Sequence, residues 1–463
     1  MRLPPLCAAL ALVSLAAPRV AAAQETADSV TVSGQVTWAH DTIERYPERV
    51  VIRSRYDPGV VRAVPVDSTG AYEAALPVGS YRVRPAGVAH FDRGWGQEFV
   101  RIDEATSYVD LEASDPRVEA PPLVLDTLEH RPDIPEDGLY DSFGPREIER
   151  LDAFIGESMA HYAIPGVSLA VFKDGGVAYE QSYGVENPIT GEPVDETTLF
   201  EAGSITKLVF AFAMMRLAER GLLDLDRPLY LDLPFEDVAH DDRYKLITAQ
   251  HVLSHQTGLP NWFSERDEEG RFDLLFTPGT GTEYSGEGFE YLKRVVTHVL
   301  GKDLQTIYEE EVIGPLGLDG FHFGATPTVR RLATDALRHG RPVPVMDVEE
   351  PMAAYSMMTN ANHFADFALA LRNRVGLAPE TYDEMLTEQA AIDEGSSWGL
   401  GIFLSSDSLG PYYEHLGVTA DFVSAFRYYP EADVGFAAFA NSLTGGWLVV
   451  DQLERFLAGD PGS

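Results

Sequence analysis

The chain has 463 residues, 45% of them hydrophobic, which is enough for more than one packed core and excludes a disordered composition. A formal net charge of −38 argues against nucleic acid and anionic membrane surfaces as partners. The single cysteine, Cys7, lies in the N-terminal leader, so disulfides, cysteine metal sites and a cysteine nucleophile are not expected.

Residues 1–23 predict a secretory signal peptide. A basic start at Arg2 precedes an apolar run from Leu6 to Ala17 and an alanine-rich end. The run is too short to span a bilayer and no later stretch is long and apolar enough, so no membrane span is expected. We therefore expect a secreted or periplasmic protein. The acidic, lysine-poor composition fits a salt-rich habitat as well as a simple preference for arginine, and the sequence leaves both open.

Residues 28–113 predict an all-β antiparallel sandwich. Short alternating segments such as SVTVSGQVTW, YRVRP and QEFVRI are separated by turn sequences such as DSTG. The run VPVDSTGAYEAALPVGSYRVRPAG resembles the carboxypeptidase regulatory-like sandwich modules. We find no catalytic constellation here, so we expect a spacer or binding module, a candidate for contact with the cell wall or with carbohydrate.

A proline-rich, acidic linker is predicted over residues 114–143, and a second domain over residues 144–460. The second domain opens with an amphipathic helix, whose apolar stripe is Ile148, Leu151, Ile155 and Met159. The stretch PGVSLAVFKDGGVAYEQSYG predicts a hairpin, and WGLGIFL, DFVSAFRYYP and VGFAAFAN predict late strands. This mixture of helices and strands predicts an α/β or α+β domain.

The stretch LFEAGSITKLVFAFAMMRLAERG contains a contradiction. From Leu208 to Leu217 it predicts a helix that is apolar on nearly every side and therefore buried, yet Lys207 stands at its start. Ser204 lies three residues earlier, on the same helical face. Burial should lower the pKa of the lysine, and a neutral amine beside a hydroxyl is a base beside a nucleophile. The pattern alone also allows Ser204 to be only a helix N-cap.

Longer stretches carry a family resemblance over about residues 145–457. They include AGSITKLVFAFAMMRLAERGLLDLDRPL, ITAQHVLSHQTGLP, FTPGTGTEYSGEGFEYLKRVV and YYEHLGVTADFVSAFRYYPEADVGFAAFAN. The domain resembles the serine β-lactamase, penicillin-binding and D-peptidase-like hydrolases, particularly the class C β-lactamase and esterase branch. The resemblance implies a central antiparallel sheet flanked by helices, with Ser204 as the acylated nucleophile and Lys207 as its base partner.

The family's Y-x-N element corresponds here to Tyr284, Ser285 and Gly286. By resemblance, Tyr284 relays protons between the serine, the lysine and the leaving group. Its phenol is plausible as an acid/base only if nearby cations lower its pKa. The family's asparagine contacts substrate, so Gly286 in its place weakens the case for recognition of a substrate amide.

The family's K-T-G or H-x-G element corresponds to His415, Leu416 and Gly417. The resemblance implies that the N–H of Val418 forms the oxyanion hole together with the N–H of Ser204. Gly417 is expected to let a substrate backbone approach. Histidine in place of lysine makes the site less positive near neutral pH.

Two rival motifs fail on context. The segment Gly395–Gly399 fits G-x-S-x-G, but a strand-like sequence follows it where a nucleophile elbow requires a helix. His251 and His255 have the i, i+4 spacing of zinc helices, but Val252 stands where the motif needs glutamate, and the stretch matches a structural segment of the family. We therefore expect neither a metal nor a cofactor.

The sequence thus predicts a secreted, metal-free serine hydrolase acting through an acyl-enzyme on a small-molecule or peptide substrate. The substrate carbonyl belongs to an ester, a D-amino-acid peptide or a β-lactam, and an esterase or peptidase is favoured over a β-lactamase. Gly286 and His415 also motivate an alternative of another class, a catalytically reduced protein that binds peptide or cell-wall components.

Overall fold

The computed structural model describes residues 29–38, 49–54, 61–67, 69–77, 79–85, 109–113, 117–119, 123–125 and 143–458, the last range without 163, 188, 262–269, 339–340, 394, 408, 420, 444 and 446–452. The chain divides into two compact units, Met1–Arg131 and Pro132–Ser463. The signal segment predicted at 1–23 and the strand predicted at QEFVRI lie outside the described residues.

The described residues of the first unit form eight strands. They are β1 (Ser29–Trp38), β2 (Arg49–Ser54), β3 (Val61–Pro65), β4 (Ala71–Pro77), β5 (Gly79–Pro85), β6 (Val109–Ala113), β7 (Arg117–Glu119) and β8 (Leu123–Leu125). One sheet has the order β4-β1-β7 with β8 also on β1, and the other has the order β3-β2-β5-β6. Alternating strand sequences therefore correspond to β structure in this unit.

Two features of the first unit differ from the sequence prediction. Strands β7 and β8 lie inside the segment predicted as a linker, and both pair in parallel with β1, whereas the other pairs are antiparallel. Short apolar runs between the prolines, such as LVL at 123–125, have the β-branched and aliphatic residues that favour strands. The boundary between the two units falls after Arg131, also inside that segment.

The second unit is built from helices around one large sheet. Its helices are α1 (Pro145–His161), α2 (Ile205–Glu219), α3 (Ala249–Leu253), α4 (Gly286–Leu300), α5 (Leu304–Tyr308), α6 (Gly314–Leu316), α7 (Val329–Leu332), α8 (Ala361–Arg372), α9 (Pro379–Met385) and α10 (Leu453–Ala458). Its strands are β9 (Gly166–Lys173), β10 (Gly176–Gly184), β11 (Phe200–Glu201), β12 (Ala336–Arg338), β13 (Arg341–Val343), β14 (Met358–Thr359), β15 (Ala390–Asp393), β16 (Ser396–Trp398), β17 (Phe403–Asp407), β18 (Gly410–Val418), β19 (Val423–Tyr429) and β20 (Val434–Ala440).

Eight of these strands form an antiparallel sheet in the order β10-β9-β20-β19-β18-β17-β16-β15. Strands β19 and β20 are buried along their whole length, so both faces of the sheet centre are covered. Helix α8 packs on β9, β10 and β20, and helix α2 packs on β18 and β19. The predicted central antiparallel sheet flanked by helices is confirmed for this unit.

Individual elements follow the sequence pattern closely. The predicted amphipathic helix is α1, and the predicted hairpin is β9–β10 with its turn at Asp174 and Gly175. The stretch WGLGIFL, predicted as one strand, is divided between β16 and β17. The reason is Gly401, whose left-handed backbone (φ 76°) lies against Ala211 of α2 and so prevents a continuous strand.

Helix α2 is the structural centre of the second unit. Twelve of its fifteen residues are buried, so it has no polar face, as its sequence predicts. Its N-terminal turn meets the end of β18, and this junction positions the site described below. No helix in the part of the chain that the structure describes is long and apolar enough to cross a membrane.

Candidate active site

Ser204 stands at the start of α2, preceded by a tight turn. It is half-exposed, whereas the residues that follow it on the helix are buried. Its side chain makes no capping hydrogen bond, so the alternative that Ser204 serves only as an N-cap lacks support. Gly203 before it has φ 52°, and a Cβ there would lie 2.9 Å from the nitrogen of Val418. The turn therefore requires glycine and presents the serine hydroxyl beside the end of β18.

Lys207 is completely buried one helical turn after Ser204. Its Nζ lies 3.3 Å from Ser204 Oγ and donates to the carbonyl oxygen of Ala354 at 2.9 Å. Burial lowers the pKa of this lysine from 10.5 to about 7, and the negative charge of Glu290 opposes part of that shift. Near neutral pH a large fraction of the amine is therefore uncharged and able to accept a proton.

Tyr284 lies directly before α4 and faces both residues. Its ring centroid is 4.7 Å from the Nζ of Lys207, and its hydroxyl hydrogen-bonds with Ser204. Burial raises the pKa of Tyr284 well above its ordinary value, and the hydrogen bond with Ser204 opposes the shift only in part. The condition that cations lower this pKa is not met, so Tyr284 is a neutral phenol, which can donate a proton but is a poor base. Lys207 is left as the stronger candidate base.

His415 lies on β18 and is almost fully buried. Burial and the charge of Lys207 lower its pKa from 6.5 to about 3, so the ring is neutral. Its Nδ1 lies 2.8 Å from the carbonyl oxygen of Leu416, which can only accept, so Nδ1 carries the proton and Nε2 is an acceptor. Among the described residues, Nε2 has no hydrogen-bond partner.

Gly417 is required by the packing of the protein itself. A Cβ at this position would clash with the carbonyl oxygen of Ala202 and with the hydroxyl of Ser424, both belonging to the protein itself. Glycine at 417 therefore permits close packing of β18 against the turn before Ser204. The expected approach of a substrate backbone at this position stays a prediction. The same packing brings the backbone nitrogen of Val418 next to Gly203, as the oxyanion-hole interpretation requires.

The rival motifs have structural explanations. Ser396 and Ser397 lie within strand β16, so the G-x-S-x-G segment is not a strand–turn–helix elbow. The Nδ1 of His251 contacts the carbonyl oxygen of Leu246 at 3.1 Å, and the Nδ1 of His255 accepts from the backbone of Ser285. No group of metal-ligating side chains occurs among the described residues.

The sequence reasoning missed three contributors to the site. The carbonyl of Ala354 binds Lys207, Trp398 places its ring 5.8 Å from that of Tyr284, and the ring of His255 lies 4.4 Å from that of Tyr284. Residue spacing carries no signal for the first two. The spacing of His255 from His251 suggests only a metal site, although its position in ITAQHVLSHQTGLP, a segment that resembles a structural one of the family, indicates a structural residue.

Gly286, which replaces the family's asparagine, is held by a different asparagine. Its backbone N–H donates to Oδ1 and to the carbonyl oxygen of Asn261 at 3.0 and 3.1 Å. Because the N–H can only donate, the oxygen of the Asn261 carboxamide faces the start of α4. The region around Tyr284 is thus fixed by the segment that follows α3.

The site combines a half-exposed serine, a buried lysine one turn later and a tyrosine hydroxyl, all beside the end of an antiparallel sheet. These features define the S-x-x-K class of serine hydrolases. The Beta-lactamase family matches residues 151–457, which is more than half of the chain, and the chain belongs to that family.

Its relatives include hydrolases and penicillin-binding proteins. Esterase EstB of Burkholderia gladioli is 28% identical over 54% of this chain and 78% of its own length. Penicillin-binding protein 4 of Amycolatopsis lactamdurans is 27% identical over 67% of this chain and 88% of its own length. The octameric penicillin-binding protein homologue from Pyrococcus abyssi has a TM-score of 0.59 at 24% identity, covering 68% of this chain and 78% of its own, and shares the fold.

Proposed function

We propose that this chain is a secreted serine hydrolase that forms an acyl-enzyme on Ser204. The observation that carries the proposal is the 3.3 Å contact between Ser204 Oγ and the Nζ of Lys207, an amine whose pKa burial brings to about 7. A general base works best when its pKa lies near the operating pH. The half-exposed hydroxyl is reachable, while the base behind it is shielded from water.

The reaction follows from this arrangement. The neutral amine of Lys207 takes the proton of the Ser204 hydroxyl as the oxygen attacks the substrate carbonyl. The N–H groups of Ser204 and Val418 stabilise the oxyanion that forms. Tyr284, as a neutral phenol bonded to Ser204, passes a proton to the leaving group and is reprotonated from Lys207. Water then attacks the acyl-enzyme by the reverse sequence of proton transfers and releases the acid.

Esters and small peptides are the substrates this site favours over β-lactams. His415 is a neutral residue where the family's K-T-G element has a lysine, so this position supplies no cation for a carboxylate-bearing substrate. Gly286 offers no side chain, and its N–H is already bound to Asn261. Simple esters need neither contact, and an esterase and a penicillin-binding protein among the relatives agree with this substrate range.

The alternative is a catalytically reduced protein that binds peptide or cell-wall components. The contacts that join Ser204, Lys207 and Tyr284 support the hydrolase instead, because a binding protein has no need of a buried lysine with a lowered pKa. The two candidates differ in one property, since only an activated serine reacts covalently with an acyl or phosphonyl probe.

The test is labelling with a fluorophosphonate and a fluorescent penicillin, followed by peptide mass mapping. We expect the adduct on Ser204, and Ser204→Ala should abolish both labelling and ester turnover. An adduct on Ser397 or Ser285 would overturn the mechanism, and an unlabelled, folded protein would favour the binding alternative. A panel of p-nitrophenyl esters, D-alanyl peptides and cephalosporins then ranks the substrates.

The same proposal extends to location and to the first unit. The leader at 1–23 supports export to the periplasm or the medium. The two sheets of the first unit bury apolar side chains of their own, among them Val32, Ile52 and Val83, which supports a carboxypeptidase regulatory-like sandwich that contacts cell wall or carbohydrate. Co-sedimentation with insoluble peptidoglycan and with chitin tests this role, and no retention on either would contradict it.

A further inference from the structure

The backbone on both sides of Tyr284 is tied to a single residue. The N–H of Glu283 donates to the carbonyl oxygen of His255 at 2.9 Å, and the N–H of Ser285 donates to the Nδ1 of the same residue at 3.1 Å. The hydroxyl of Ser285 is held in turn by the carbonyl oxygen of Pro260 at 2.9 Å. Tyr284 therefore lies between two hydrogen bonds that both end on His255.

The ring of His255 also packs on the tyrosine itself. Its centroid lies 4.4 Å from that of Tyr284 with an interplanar angle of 34°, and 4.5 Å from that of Trp398 with an angle of 64°. The ring is completely buried. The packing of the His255 ring against Tyr284 thus helps to fix the position of the phenol relative to Ser204.

One protonation state of His255 fits these contacts. Nδ1 accepts from a backbone N–H, so it carries no proton, and the neutral ring has its proton on Nε2. Burial and the positive charge of nearby Lys207 keep the pKa of His255 well below its ordinary value, which preserves this acceptor. A protonated ring would lose the bond from Ser285 and would repel the ammonium of Lys207.

The backbone of His255 indicates that the residue is held for its side chain. Its φ of 57° is in the left-handed region, where glycine or asparagine fits more easily. A residue of this size persists in that region only where its surroundings over-determine it. Neither ring packing nor the bond to Ser285 could come from glycine.

We propose that His255 is a positioning residue that holds the hydroxyl of Tyr284 in contact with Ser204 during proton transfer. The inference rests on the proposed function, since it assigns His255 to that reaction. His255 contacts no reacting atom and acts only through Tyr284. A displacement of about 1 Å in such a group is enough to reduce turnover by about 10²-fold.

The test compares two substitutions at this position. His255→Leu keeps apolar bulk and removes the acceptor, whereas His255→Asn places an oxygen the same number of bonds from Cα as Nδ1 and tolerates the left-handed backbone. With a p-nitrophenyl ester, we expect His255→Leu to lower kcat about 10²-fold with KM changed less than about threefold. His255→Asn should recover at least about tenfold of that loss, because it restores the bond from Ser285.

A double-mutant cycle with Tyr284→Phe separates positioning from a general effect on stability. If His255 acts through the phenol, His255→Leu should cost less than about threefold further in the Tyr284→Phe protein, because residues acting as a unit are not additive. His251→Leu is the matched control, since the Nδ1 of that histidine also bonds the backbone, but at the carbonyl of Leu246 rather than in the Tyr284 loop. It should change kcat less than about threefold.

Several outcomes would overturn the inference. The first is an equal loss of kcat from His255→Leu in the wild-type and Tyr284→Phe proteins. The second is a folded His255→Asn protein that is no more active than His255→Leu. The third is a Tyr284→Phe protein as active as the wild type. If His255→Leu does not fold, the cycle is run with His255→Asn, whose loss must vanish in the Tyr284→Phe background. Absence of probe labelling in the wild type contradicts the proposed function, whereas normal labelling with indifferent His255 variants contradicts only this inference.

Discussion

Two basic side chains at the site, Lys207 on α2 and His415 on β18, are buried to nearly the same degree but differ in what they can do. Desolvation lowers the pKa of Lys207 from 10.5 to about 7 and that of His415 from 6.5 to about 3. Because lysine starts from the higher value, burial leaves it exchanging protons near neutral pH, while histidine becomes permanently neutral. The start of α2 is therefore suited to proton transfer near neutral pH, whereas His415 at the end of β18 carries no charge.

The largest effect is expected when Lys207, the proposed general base, loses its amine. Lys207→Ala should lower kcat about 10²–10⁴-fold, the usual contribution of a positioned general base. Folding should survive, because the variant no longer buries an amine that resists desolvation. Ester turnover and the thermal transition measure the two effects.

Lys245→Ala is the matched control, since that lysine is half-exposed and pairs with Asp242 at the surface. It should leave kcat and Tm nearly unchanged. A folded Lys207→Ala protein with wild-type turnover would show that Lys207 is structural and would remove the difference between the two regions.

The pH dependence of ester hydrolysis compares the two groups in the intact protein. A general base is active only when deprotonated, so activity should rise with pH through about 7, the pKa of Lys207, and fall about tenfold for each pH unit below it. The pKa of His415 is about 3, so His415→Gln should not shift this rise of activity with pH. If His415→Gln shifts the pH at which activity rises, or if activity does not rise between pH 5 and 8, Lys207 is not the general base.

A smaller effect is expected when the neutral group is replaced by a cation. The wild type should hydrolyse a p-nitrophenyl ester more efficiently than a chromogenic cephalosporin, because His415 cannot attract the β-lactam carboxylate. His415→Lys should raise the cephalosporin-to-ester ratio of kcat/KM about tenfold, equivalent to one new charge contact.

His415→Gln keeps a neutral acceptor and should leave the same ratio nearly unchanged. A wild-type kcat/KM for the cephalosporin above roughly 10⁶ M⁻¹s⁻¹, the range of an efficient enzyme, would contradict the substrate preference. An unchanged ratio in His415→Lys would show instead that position 415 does not face the substrate.

The two regions also differ in how far the sequence predicts them. Ser204 and Lys207 lie on one helix, so their contact follows from the period of the α-helix, and the apolar sequence around the lysine predicts its burial. The helix, the hairpin and the late strands were predictable for the same reason, because their apolar patterns are local. Gly401 is an exception, since its left-handed backbone depends on contact with α2.

The partners of the site could not be predicted in this way. The carbonyl of Ala354 reaches Lys207 across 147 positions, and His255 reaches Ser285 across 30. Such contacts are made by tertiary packing and leave no periodic pattern in one sequence. The direction of the Tyr284 pKa shift was equally hidden, because it depends on how completely the ring is buried rather than on which charges are near in the sequence.

The smallest effect is expected from removing the first unit. Every candidate site residue lies beyond Pro132, where the second unit begins, and that unit has a core of its own. A protein that starts at Pro132 should therefore fold and hydrolyse a p-nitrophenyl ester within about threefold of the full chain. Circular dichroism and active-site titration with the fluorophosphonate check that equal amounts of folded enzyme are compared. If the first unit binds cell wall or carbohydrate, the truncation should lose retention on peptidoglycan or chitin while keeping the ester activity. A folded truncated protein that has lost ester activity would show instead that Lys207 and His415 are only part of a site to which the first unit contributes.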